Sequence, residues 1–181
     1  MSSSISYSRG IRTLLLLMAL YPNELSWAGG FQVYPIRVTL NANESTTLMT
    51  VKNDGAEKLR LQVSVVAWDQ NKQGEMVLKP TEDIIFYPTL LSIDGGEQRN
   101  LRVGTHTKEV AKEKSYRIIV EELPPNEKLQ STGVRFLTKV SIPIFIQPRK
   151  VETKGIIDQL TLRKGELSFD IKNDGNVHIQ P

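Results

Sequence analysis

The chain contains no cysteine. Thiol chemistry and thiolate metal sites are therefore excluded, and the fold must stand on its core without disulfide staples. Histidine is almost as scarce: the only two are His106, in an expected loop, and His178, near the C-terminal end. Neither is flanked by residues spaced for metal ligation or proton relay. Glu121 and Glu122 are neighbours on an expected strand and so point to opposite faces, which argues against a catalytic carboxylate pair. There is also no Gly-rich phosphate loop. These absences speak against an enzyme and against any metal or cofactor. No apolar run reaches the roughly 20 residues that a helix needs to cross a bilayer of about 30 Å.

One shorter apolar run does stand out. Arg9 and Arg12 precede Thr13 to Tyr21 (TLLLLMALY), and small residues follow at Ser26 and Ala28. A basic start, a short apolar segment and small residues at a cleavage position are the marks of a secretory signal peptide. Residues 1–28 are expected to be removed on export, with no membrane insertion afterwards. Their removal takes two Arg and one Glu from 23 basic and 20 acidic residues, so the net charge falls from +3 to 21 − 19 = +2. Lys and Arg are interleaved with Glu and Asp throughout, unlike the one-sided basic face of a nucleic-acid binder.

From residue 31 onward the period is two, in runs bounded by Gly, Asn, Asp and Pro, as in an antiparallel sandwich. Phe31 to Leu40 alternates in parts around Pro35, and Thr46 to Lys52 is closed by Asn53-Asp54-Gly55. Leu59, Leu61, Val63 and Val65 then alternate with Arg60, Gln62 and Ser64, so one face is buried and the other wet. Ile84 to Tyr87, Leu90 to Ile93, Gln98 to Val103, Tyr116 to Glu122 and Val134 to Gln147 complete the run. About seven strands in some 120 residues match an immunoglobulin-like count. The expected class is all-β: an immunoglobulin-like sandwich over residues 29–149, followed by an incomplete second sandwich over 150–181. In that second part Ile156 to Leu162 and Glu166 to Lys172 read as strands, and two strands alone cannot close a sandwich. A truncated domain is the expectation there.

The last long strand of the first domain carries further information. Val134, Phe136, Thr138, Val140, Ile142, Ile144 and Ile146 share one parity. With Glu122-Leu123-Pro124-Pro125 before it, Ile146-Gln147-Pro148 after it and Ile36-Arg37-Val38 in the opening strand, the chain resembles the periplasmic pilus chaperones of the chaperone-usher pathway. The resemblance implies donor-strand complementation, in which a chaperone strand completes a subunit fold that lacks one strand. By register from Pro148 it implies Val134, Phe136, Thr138 and Val140 as donated residues, with Ile142 deeper toward the cleft. It also implies that Arg37 anchors the subunit's C-terminal carboxylate, and that pilus subunits and an outer-membrane usher are the partners, in the periplasm. Typical members add a lysine on the long strand, but Pro143 stands in its place. Lys139 shares that face four residues away, roughly 13 Å at strand rise, which suggests a divergent branch. A secreted immunoglobulin-like adhesion or structural module is the alternative. A pilus subunit, however, should lack its own final strand, and here that strand is the longest and most apolar.

Overall fold

The computed structural model describes residues 30–71, 73–124 and 136–179. The expected signal segment, residues 1–28, lies outside them. Among the described residues there is no helix, and the architecture is that of an immunoglobulin-like β-sandwich followed by a hairpin. One sheet orders β1 (Phe31–Tyr34), β3 (Thr46–Asn53), β8 (Gln98–Thr105) and β6 (Ile84–Tyr87). The other orders β2 (Val38–Leu40), β10 (Lys139–Ile146), β9 (Lys114–Glu122), β4 (Leu59–Gln70) and β5 (Met76–Pro80), with β7 (Leu90–Ile93) sharing the far edge of β4.

The two sheets meet through the alternation visible in the sequence. Met49, Val51, Leu101 and Val103 from one sheet are buried against a core that includes Leu61, Val63, Ile118, Val120 and Ile144 from the other. Each fully buried side chain of this kind contributes about 1.5–3 kcal/mol of transfer free energy. Asp83, at the start of β6, fastens one sheet to the other: the Tyr116 hydroxyl of β9 donates to its carboxylate at 2.5 Å and the Lys114 ammonium at 3.0 Å.

Among the described residues ten strands occur up to Ile146 where about seven were expected, and Pro35 accounts for part of the difference. The stretch Phe31 to Leu40 is two strands in two different sheets, separated at Pro35; Pro88 likewise separates β6 in one sheet from β7 in the other. A ring-locked φ and a missing N–H cannot continue a ladder, so the chain changes sheet at these points. Strand β5 was not expected at all, because its residues lie almost wholly exposed and show no alternation.

The C-terminal hairpin consists of β11 (Gly155–Arg163) and β12 (Glu166–Asn173). It repeats the β1–β3 pair in register. Gly155 faces Asn173 as Phe31 faces Asn53, and the amide of Asp174 donates to the Lys154 carbonyl as that of Asp54 does to Gly30. The Asn-Asp-Gly turns match too. Asn53 Nδ2 donates to the Glu57 carbonyl and Asn173 Nδ2 to the Val177 carbonyl, both at 2.7 Å, and in each turn the Gly amide closes on the Asn side-chain oxygen. What differs is the surroundings: every residue of β11 and β12 is exposed.

Candidate functional site

The strand expected to run from Val134 to Gln147 begins at Lys139. Val134 lies outside the described residues. The ladder to β9 extends back one further residue, where the Glu122 amide donates to the Thr138 carbonyl at 2.9 Å. That bond sets the phase of the strand. Even-numbered residues of β10 turn their backbone groups to β9 and odd-numbered ones turn theirs to the opposite edge. On that opposite edge β2 pairs in parallel only with Ile144 to Ile146, and the Gln147 amide adds a bond to the Leu40 carbonyl at 2.8 Å. Among the described residues the edge from Lys139 to Ser141 is therefore unpaired. Pro143 is tolerated there because its absent N–H faces that edge.

The even-numbered side chains emerge gradually from the core toward the start of this strand. Ile142 is 3% exposed and belongs to the sandwich interior; Val140 packs against it half-buried; Thr138 is half-buried; Phe136 is 86% exposed. Leu137, an exposed residue of the other parity not singled out from the sequence, stands beside Phe136. Two apolar side chains thus flank the open end of an unpaired edge.

Arg37 sits in the bend between β1 and β2, one residue before β2 meets β10, and so lies level with Pro143. Its guanidinium carbon is 5.7 Å from the centre of the Phe145 ring. Phe145 is in turn stacked on the His178 ring at 4.4 Å, and His178 Nδ1 is 2.5 Å from Glu113 Oε1. Among the described residues no carboxylate lies within ion-pair distance of Arg37, so its charge is available to an anion. Lys139 is not brought to Arg37: it pairs with Glu121 across the ladder at 2.9 Å, about 13 Å up the strand from Pro143. The contact of Phe145 with His178 was invisible in the sequence, since 33 residues separate them and neither carries a motif.

Comparison with known proteins gives the family. A family model described as the pili and flagellar-assembly chaperone, PapD N-terminal domain, matches residues 30–152, that is 123 of 181 residues. The chain belongs to this chaperone family. No curated protein sequence matches it. Among solved structures, a chain of the CsuC–CsuE chaperone–tip adhesion subunit pre-assembly complex, from archaic chaperone-usher Csu pili of Acinetobacter baumannii, is 27% identical with a TM-score of 0.62. The match covers 81% of this chain and 78% of that one. The class 5 fimbriae chaperone CfaA and a chain of a chaperone–tip adhesin complex of CFA/I fimbriae biogenesis share the fold. Both have TM-scores of 0.64, at 19% and 18% identity, covering 82% of this chain and 68% of theirs. The family assignment carries a chaperone role in pilus assembly, and this is a family of periplasmic, non-enzymatic proteins.

Proposed function

We propose that this chaperone binds a fimbrial subunit by lending it the open edge of β10, in the periplasm, and passes it to an outer-membrane usher. The observation that carries the reading is the Lys139–Ser141 edge, unpaired among the described residues, leading into exposed Phe136. Backbone groups along that edge hydrogen-bond an incoming subunit strand, while alternate apolar side chains fill its open groove. Phe136, Thr138 and Val140 are the side chains to lend, with Val134 preceding them. Ile142 stays in the chaperone's own core. Arg37 receives the subunit's terminal carboxylate by a charge-assisted pair, and Lys139 takes no part in that anchor.

Co-expression of the full chain with a fimbrial subunit of its host tests the reading. A soluble one-to-one complex is expected, and Phe136→Asp is expected to weaken it at least tenfold, because one buried apolar side chain is worth about 1.5–3 kcal/mol. The melting temperature of the free chaperone should not move. Capture of the subunit undiminished by both Phe136→Asp and Arg37→Ala would overturn the proposal.

A further inference from the structure

Odd-numbered residues of β10 face away from the core, and most are accessible as that side requires: Lys139 and Ser141 are exposed and Pro143 is half-buried. Phe145 breaks the rule. It stands on the same outer face and outside the core cluster, yet it is only 6% exposed, so something beyond the sandwich covers it. The cover comes from the segment after β12. Asn173 Nδ2 holds its turn through the Val177 carbonyl, and Val177 itself is buried. Glu113, whose side chain is 5% exposed, fastens this segment to the sandwich. Its amide donates to the Asn176 carbonyl at 2.8 Å, and its Oε1 accepts from the His178 amide at 3.3 Å. The same oxygen lies 2.5 Å from His178 Nδ1, while Oε2 accepts from Gln147 Nε2 at 3.2 Å. An imidazole held both by its own amide and by a ring nitrogen has little freedom to turn, and this ring stacks on Phe145 within 22° of parallel.

Phe145 also carries Arg37. The guanidinium carbon, 5.7 Å from the ring centre, is inside the roughly 6 Å reach of a cation–π contact. A guanidinium on a long, rotatable stem receives an anion better when it is already placed, because less side-chain freedom is lost on binding. We infer that His178 is a positioning residue for Arg37: clamped by Glu113, its ring fixes Phe145, and Phe145 fixes the guanidinium that receives the subunit's terminal carboxylate. The inference deepens the proposed function and rests on its carboxylate anchor at Arg37. A segment beyond the sandwich thereby sets how firmly the sandwich grips its cargo's end.

A synthetic peptide with the sequence of the C-terminal strand of a fimbrial subunit of its host, made as the free acid and as the C-terminal amide, tests this. Binding of both forms to the full chain is measured by fluorescence anisotropy. The wild-type chain should bind the acid more tightly than the amide. His178→Ala should cut that preference by about threefold and leave affinity for the amide unchanged. His178→Phe keeps a ring over Phe145 and should keep the preference, which separates placement from any charge on the imidazole. In an Arg37→Ala background, His178→Ala should change nothing further. If Arg37→Ala leaves the preference for the acid intact, the anchor reading itself fails. Three results overturn the positioning inference while the anchor stands, given that Arg37→Ala abolishes the preference: His178→Ala leaves it unchanged, His178→Ala weakens acid and amide alike, or His178→Phe behaves as His178→Ala does.

Discussion

The same two-strand unit occurs twice in this protein, once inside a sandwich and once outside any. In the first copy Met49, Val51 and Asn53 of β3 point into the core; in the second, Phe169, Ile171 and Asn173 of β12 hold the matching positions and remain exposed. Local turn chemistry and strand register are alike in both. The difference shows that hydrogen-bonded register is set by nearby residues, whereas stability comes from what lies across the sheet.

Truncating a side chain in each copy should separate these contributions most widely. Leu61→Ala or Ile118→Ala, at fully buried positions, is expected to cost about 2–5 kcal/mol in urea unfolding. Leu162→Ala on the hairpin should stay within about 0.5 kcal/mol. Equal losses would mean that the hairpin is packed in solution against something as dense as the core.

The two asparagine turns give a finer contrast. Asn53 is 2% exposed and its amide also donates to the Ile93 carbonyl at 3.1 Å. Asn53→Ala leaves buried partners unsatisfied and is expected to cost about 1–3 kcal/mol. Asn173→Ala should cost under about 1 kcal/mol by the same denaturation measurement, since water replaces what is lost.

Acid should act on the sandwich through Asp83. The Tyr116 hydroxyl, and after it the Lys114 ammonium, hold this carboxyl below its ordinary value, while burial and the same contact push the Tyr116 hydroxyl up. A depressed folded-state value means stability that is present above the unfolded carboxyl's pKa of about 3.9 and lost as pH falls through the lower folded value. Melting temperature followed from pH 6 to pH 2 should therefore fall more gently in Asp83→Asn than in the parent. Asp174, held low chiefly by Lys154 but on the exposed hairpin, should leave that profile almost unchanged when replaced by Asn. Smallest of all is the exposed Lys139–Glu121 pair, whose removal by Lys139→Ala should cost under about 1 kcal/mol of unfolding free energy.

Much of the sandwich was legible because alternation and burial agree. Leu59, Leu61 and Val63 point inward as their spacing requires, and β6, β7 and the hairpin strands fall within a residue or two of expectation. Strand β5 was illegible because a strand exposed on both faces leaves no period to read. The start of β10 was misjudged for a related reason: apolar parity continues to Val134 and Phe136, but parity reports which side a residue would face, and pairing partners decide where a strand begins. Arg37 was singled out through the family resemblance alone. Its neighbours Phe145 and His178 come from distant parts of the chain and announce themselves only in three dimensions.

The crossing at Pro35 has a mechanical side. Strands β1 and β2 on either side of it are stitched into opposite sheets, with Arg37 on the short tether between them. A pull at Arg37 directed along the strands would load both ladders in shear, so that several hydrogen bonds share it; a pull across them would part the bonds one at a time.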